Sequence, residues 1–268
     1  MDLQSKDGLI IVTGSSGFLG SNFTNKYNLN FLKLRKDSFY YNGSKHSLSD
    51  KNLLKFILEK NNNIYLIHFA TYYSLDEKYE KKIKEANLNF GIELINLLPV
   101  KNIKKIIYTN SVFCFSDDIL VKNSTYVKTK IQFSQFLNNY SLRNNIPYLE
   151  CFISDTYGKN DLRNKILTKI IESKKLNKLN PVNDSDKFIN YMSANDISRN
   201  IYNNLFYGAV GKYLLINRID HKLYDIHNYL VSGRAIDTRT ETFSINSQFN
   251  LLPGLKIRDQ LENFLDLV

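Results

Sequence analysis

What the chain has little of narrows it first. It holds two cysteines in 268 residues, Cys114 and Cys151. That is too few for a disulfide framework and lacks the paired spacing of a metal site, so a reduced compartment and no metal are expected. The start, Met1-Asp2-Leu3-Gln4-Ser5-Lys6-Asp7, lacks the basic and apolar regions of a secretion signal. No apolar run approaches the length that spans a bilayer. The cytoplasm is therefore the expected location, with no membrane partner. No internal repeat is present. The formal net charge is +10, but the lysines are scattered among asparagine and isoleucine. No basic stripe with interleaved aromatics forms on one element, so nucleic acid is not expected and an anionic small substrate suits the charge better. The length, with 43% hydrophobic residues, allows one large α/β domain or a nucleotide-binding domain with a smaller lobe.

Glycine is sparse too, eleven in all, yet three stand together. Leu9 to Val12 is a short apolar run that reads as a buried parallel strand. It breaks into Thr13-Gly14-Ser15-Ser16-Gly17-Phe18-Leu19-Gly20. Gly14 allows a tight turn, Gly17 lets backbone approach a pyrophosphate, and Gly20 lets a helix pack on the strand. The free N–H groups of that helix end then hold phosphate, with Ser16, Phe18 and Leu19 around it. The spacing is G-x-x-G-x-x-G.

The next positions follow in order. Ser21 to Tyr27 reads as a helix and Asn30 to Leu34 as a second strand, followed by Arg35 and Lys36. An acid at that point would bond the adenine ribose of NAD, whereas a cation accommodates the 2′-phosphate of NADP, so NADPH is expected ahead of NAD. A helix over Leu53 to Leu58 starts from a Ser49 or Asp50 cap, and Asn63 to Ala70 is a strand. His68 in it is expected to be structural. Tyr79 to Leu98 reads as one long helix with Asn87 in its middle. Lys105 to Ser111 is a strand, Ser124 to Tyr140 a helix and Tyr148 to Ile153 a sixth strand. The alternation implies a doubly wound parallel sheet of Rossmann type. Beyond residue 155 the pattern shortens, with a polar stretch over Lys174 to Asp186, one returning strand over Lys212 to Asn217 and a short terminal helix. The expected division is 1–155 for the dinucleotide domain and 156–268 for a small substrate-binding lobe. His221 and His227 have no visible partner and are expected at the surface.

Tyr126 and Lys130 stand four apart, on one helix face. A free tyrosine titrates too high to exchange protons at neutral pH, and a nearby ammonium lowers it. The Ser111 hydroxyl, at a strand end one unit earlier, can hold a substrate oxygen against Tyr126. The three could protonate an alkoxide as hydride reaches its carbon.

These motifs resemble the extended short-chain dehydrogenase/reductases of the nucleotide-sugar epimerase/dehydratase superfamily. The loop 13–20, His68-Phe69-Ala70, Asn87 in its helix, Ser111, Tyr126, Lys130, Asp155-Thr156-Tyr157-Gly158 and Asp196 all come in the family's order. The resemblance implies that Ser111, Tyr126 and Lys130 are catalytic, with Asn87 in a proton relay. It places Ala70, Ser47 and Leu48 beside the cofactor. It also puts Asp155 where some members contact the nucleotide sugar. By position alone, Thr71 and Tyr72 lie beyond Ala70 where substrate would sit, and Arg163 and Lys165 either bind the substrate pyrophosphate or form a solvated helix face. The resemblance also implies a homodimer through the helices expected over 79–98 and 124–140. Within the superfamily, the stretch 155–166 is most similar to CDP-abequose and CDP-paratose synthases and dTDP-sugar 4-ketoreductases. That implies NADPH-dependent reduction of the C4 ketone of a 4-keto-6-deoxy nucleotide sugar.

Several features depart from the family pattern. Ser111 and Tyr126 are only fifteen residues apart, Phe115 replaces a usual tyrosine, Ser47 replaces an adenine-contacting aspartate, and the chain is short. Val112 and Phe113 stand where a 4,6-dehydratase carries acids, which argues against dehydration. Cys114 reads as a core residue rather than part of an epimerising pair. A 4-epimerase with bound NAD and a non-catalytic dinucleotide sensor or scaffold remain the alternatives.

Overall fold

The computed structural model describes residues 8–163, 165–176, 187–232, 236, 238–239 and 249–267. The start at 1–7, Asn164 and residues 177–186 of the expected polar stretch lie outside them.

Strand β1 (Leu9–Thr13) is buried at every position because helices cover both faces of the sheet it joins. It leads through the glycine turn into α1 (Phe18–Lys26), then β2 (Phe31–Leu34). A hairpin of β3 (Ser38–Tyr41) and β4 (Ser44–Ser47) follows, closed by Asn42 and Gly43 at positive φ. Helix α2 (Lys51–Lys60) is capped by Asp50, whose carboxylate accepts from Leu53 N. Next come β5 (Ile64–His68), α3 (Glu80–Lys84), a π-turn at Glu85–Asn89 and α4 (Phe90–Leu97). Then β6 (Ile103–Ser111), α5 (Ile119–Asn123), α6 (Thr125–Arg143) and β7 (Tyr148–Ile153) complete the alternating run.

The remaining elements are β8 (Asp155–Tyr157), α7 (Ile166–Lys175), β9 (Phe188–Ser193), α8 (Ala194–Asn203), β10 (Gly211–Leu215), β11 (Asp220–Lys222), α9 (Leu223–Ser232), β12 (Thr238–Arg239) and α10 (Leu261–Leu265).

Eight strands lie in the order β10-β7-β6-β5-β1-β2-β3-β4. All are parallel from β10 to β2, and only the hairpin runs antiparallel at the edge. The chain leaves β1 toward β2 and later returns to its other side at β5. The crevice at the strand ends between β1 and β5 is thus the topological switch point, where such sheets bind ligands. Register keeps those ends level, with Thr13 opposite both Leu34 and His68. One face of the sheet packs on α1 and α8 through Phe23, Ile197 and Ile201, and the other on α2, α4 and α6 through Ile57, Leu94 and Phe133. This is the doubly wound Rossmann architecture.

The later part of the chain serves two bodies. β10 and α8 extend the large sheet and its cover, while β8, β9, β11 and β12 form a second sheet in the order β12-β11-β9-β8. Its core is Tyr157, Leu167, Tyr191, Ile226 and Leu261. Asp196, fully buried, ties the bodies together. Its N–H donates to the Ser193 cap, and its carboxylate pairs with Arg199 and accepts from the N–H groups of Arg258 and Asp259.

Three sequence expectations are corrected. The hairpin over 38–47 is missed, because four-residue strands with polar members such as Ser44-Lys45-His46-Ser47 carry no clear alternation. The single helix expected over 79–98 is interrupted by the π-turn that holds Asn87. His221 and His227 are not surface groups. His221 is buried on β11 with Nε2 3.8 Å from Glu262, and the half-buried His227 has Nε2 sealed from solvent. Three-residue β11 is too short to be seen as a strand in sequence, yet pairing with β9 closes it over.

Candidate active site

A cavity of about 720 Å³ opens at the switch point, lined by the glycine loop at one end and by Ser111, Tyr126 and Lys130 at the other. The first end is made of backbone. Gly14 sits at φ +64°, and a Cβ there would lie 2.8 Å from Ala70 backbone atoms. A Cβ at Gly20 would come within 2.2 Å of the Gly14 carbonyl oxygen. Only glycine lets the turn, β5 and α1 close this tightly. Gly17 caps α1 without a side-chain bond, and the first turn carries no acid. The helix therefore presents unsatisfied N–H groups and its positive dipole end to the cavity. This cradle fits the pyrophosphate of a dinucleotide.

The second end is made of side chains. β6 delivers Ser111, whose Oγ accepts from Phe113 N at 3.2 Å and so starts the turn of 112–115. Ser111 N donates at 2.8 Å to Asn110 Oδ1, and Asn110 is itself held by buried Glu150 at 2.6 Å. Tyr126 lies in the first turn of α6. That turn is fixed by the Ser124 cap and by Glu77, which accepts from Thr125 N and Oγ1 at 2.9 and 2.6 Å. Tyr73 meets the Tyr126 ring edge-on at 5.1 Å, with Phe113 at 6.4 Å.

Burial raises the Tyr126 phenol above its ordinary value, and the nearby Ser111 and Thr71 hydroxyls pull it partly back. Sequence reasoning expects Lys130 to lower this phenol; the net direction is the opposite, because desolvation is the largest effect. Lys130 is buried, donates to Thr109 O at 3.0 Å, sits over the Tyr108 ring at 4.9 Å, and is lowered to about 8, chiefly by desolvation. The phenol is thus protonated at neutral pH.

Asn87 stands behind the cavity wall. Its Oδ1 accepts from Tyr72 N at 2.6 Å and Thr71 Oγ1 at 3.2 Å, while Nδ2 donates to Tyr72 O and Thr129 Oγ1. The π-turn that carries it is a common device at functional sites.

The other expected residues divide. Gly14, Gly17, Phe18, Leu19, Gly20, Thr71, Tyr72, Asp155, Arg163 and Lys165 line the cavity. Lys165 pairs with Asp155 at 3.0 Å and lies 3.9 Å over the Tyr73 ring. Ser16 is exposed at the loop tip, and Ala70 packs beneath Gly14 with its N–H on Thr13 Oγ1. Arg35 lies 4.3 Å over Tyr40 on the hairpin, while Lys36 is exposed. Ser47 bonds Ser49 and Leu48 packs toward the core beneath the hairpin, away from the cavity lining. His68 is buried among Phe133, Tyr108 and Phe90 and lowered to about 3 by burial, so it is neutral and structural. Tyr73, Phe113 and Asn110 are residues that sequence reasoning misses. Phe113 and Asn110 adjoin Ser111, which is the only signal they carry. Among the described residues no group of three or more His, Cys, Asp or Glu is placed to hold a metal, and no helix is long and apolar enough to cross a membrane.

A model of the NAD dependent epimerase/dehydratase family matches residues 10–202. A sequence comparison with curated proteins finds no match. Among solved structures, the chain is similar to a UDP-glucose 4-epimerase of Thermus thermophilus in complex with NAD, at 16% identity and TM-score 0.71 over 97% of both chains. It is similar to a UDP-N-acetylglucosamine 4-epimerase of Methanobrevibacter ruminantium, in complex with UDP-N-acetylmuramic acid, at 18% identity and TM-score 0.73, over 97% of this chain and 96% of that one. It is also similar to WbmG of Bordetella bronchiseptica in complex with NAD and UDP, at 14% identity and TM-score 0.71, over 96% of this chain and 91% of that one.

Proposed function

The chain belongs to the NAD dependent epimerase/dehydratase family of extended short-chain dehydrogenase/reductases, and from that premise we propose that it reduces the C4 ketone of a 4-keto-6-deoxy nucleotide sugar with NADPH. The observation that carries this reading is the cluster of Tyr126, Ser111 and Thr71 hydroxyls in the cavity that the glycine loop closes at its far end. The dinucleotide, when bound, supplies hydride. Ser111 holds the substrate oxygen, and Tyr126, kept protonated by burial, donates its proton to that oxygen as negative charge develops. Lys130, fixed on the Thr109 carbonyl, supplies positive charge beneath the reacting groups and a donor for the nicotinamide ribose. Asn87 holds Thr71 in place. Val112 and Phe113 leave no acid beside Ser111 for a dehydration. NADPH is supported by Arg35 at the end of β2, whose buried Nε has no partner. Asp155 and Lys165 are the polar groups offered to the sugar nucleotide, and exposed Leu97 and Leu142 on α4 and α6 support the homodimer.

The test is NADPH oxidation with 4-keto-6-deoxy sugars linked to CDP, dTDP, GDP and UDP. Turnover with one of them, lost in Tyr126→Phe while NADPH still binds, is the expected result. No oxidation with any of them, or near-full activity in the variant, overturns the reading. A second reading, a nucleotide-sugar 4-epimerase, is favoured by the 4-epimerases among the similar structures. Purified protein that carries stoichiometric NAD and interconverts UDP-hexoses without added cofactor selects it.

A further inference from the structure

Arg163 and Lys165 are two residues apart on the segment after β8, and sequence reasoning offers both either to the pyrophosphate of the substrate or to a solvated helix face. The structure separates them. Lys165 lies over Tyr73, on the Tyr126 side of the cavity. Arg163 reaches the other way, its guanidinium 4.1 Å over the ring of Phe18, the first residue of α1. The turn that brings it there touches the same ring, since a Cβ on Gly158 would lie 3.2 Å from Phe18.

We propose that Arg163 is a clamp on the pyrophosphate of the dinucleotide, carried from the second body onto the glycine loop, and that it plays no part in holding the substrate. This rests on the dinucleotide-dependent reading above. The guanidinium is already fixed. Nε and Nη2 form a fork onto Asp161 at 2.7 and 2.6 Å, and Nη2 also donates to Thr156 O at 2.8 Å. Its position over the Phe18 ring adds a cation–π contact. Both donors of Nη1 have no partner among the described residues, and the side chain is one-third exposed in the cavity wall. An arginine held on three bonds and a ring, with two donors left over beside a helix N-terminus that itself lacks a cap, is pre-organised for a phosphate oxygen. Asp161 is the positioning residue that orients it. The second body therefore contributes to cofactor affinity, although every glycine of the loop belongs to the first.

The test is calorimetric titration of the full chain with NADPH and NADH, and separately with CDP, UDP and dTDP. Arg163→Met is expected to weaken the dinucleotide roughly ten- to a hundredfold, while nucleoside diphosphate affinity stays unchanged. Arg163→Lys restores charge without the fork and recovers only part of the loss. Asp161→Asn, which frees the guanidinium to rotate, gives an intermediate loss. A loss confined to the nucleoside diphosphates assigns Arg163 to the substrate and overturns the proposal. Unchanged binding of both ligand classes overturns it too. Wild-type protein that binds neither dinucleotide overturns the underlying reading and the proposal together, which separates that failure from the other two.

Discussion

The two ends of the cavity are built from different materials. At the loop end the working groups are backbone: three glycines, a helix N-terminus and a turn pressed against β5. At the hydroxyl end they are side chains drawn from four places: Thr71 after β5, Asn87 in a π-turn, Ser111 at the end of β6 and Tyr126 at the start of α6. The glycines of the loop can fail only by distortion of the chain, so their substitutions act on folding. The hydroxyl end can lose one atom and keep its shape, so its substitutions act on turnover. The comparison predicts opposite signatures for the two ends.

The largest effect belongs to Tyr126. Removing its hydroxyl in Tyr126→Phe deletes the proton donor and leaves the ring against Tyr73 and Phe113. Turnover is expected to fall by about 10³-fold, roughly 4 kcal/mol of transition-state stabilisation, with NADPH affinity little changed. Steady-state kinetics beside a binding titration measure both. A comparable loss of cofactor affinity would erase the contrast between the ends.

Gly20→Ala comes next and should show the reverse signature. Its methyl would meet the Gly14 carbonyl oxygen, which is backbone and cannot rotate away. A loss of about 3 kcal/mol of stability, or roughly 10 °C in melting temperature, is expected. Gly43→Ala in the hairpin is the control. It has nothing within 4 Å and bears only the strain of φ +80°, expected to cost about 1 kcal/mol. Equal effects at the two positions would show that close approach is not what the loop needs.

These two ends were not equally legible in the sequence. The loop was readable because its spacing lies within one strand–turn–helix unit, where each glycine answers a local need. Ser111, Tyr126 and Lys130 were readable because strand ends and helix turns fix where they point. What stayed hidden depends on contacts across the chain. Arg163 meets Phe18 from the second body, Glu77 holds Thr125 across 48 positions of sequence, and the Asn110–Glu150 bond crosses 40. No period or cap signals such pairs. The direction of the Tyr126 shift was hidden for the same reason, since desolvation depends on Tyr73 and Phe113 closing over it.

His68 lies on β5 between the two ends and tests whether an imidazole serves either. Burial holds it at about 3 in the fold against 6.5 when unfolded. Between those values the unfolded chain binds more protons, so stability falls as pH drops below 6.5 and is full above it. From pH 6.5 to 5 the loss from this group alone approaches about 2 kcal/mol. His68→Leu removes that part of the acid sensitivity and leaves turnover intact. Denaturant melts at pH 7 and pH 5 read the difference, and a variant that loses turnover at pH 7 would make His68 a participant.

The smallest effect, at Asn87, is the sharpest test, because this residue belongs to the hydroxyl end while standing behind the cavity lining. Its amide satisfies both the N–H and the carbonyl of Tyr72 and holds the Thr71 hydroxyl. Asn87→Ala leaves those groups without that partner and removes a buried amide, which is expected to cost about 1–2 kcal/mol of stability. If the amide only supports the wall, kcat should fall by roughly tenfold through Thr71 with KM almost unchanged, since the substrate keeps its own contacts. The pH profile then keeps its shape, because no titrating group has been removed. If Asn87 instead relays the proton, the alkaline limb moves as well as the plateau, and Thr71→Val, which removes the intervening hydroxyl, leaves that shift in place. The difference between those two profiles decides whether the hydroxyl end stops at the cavity wall or extends one residue behind it.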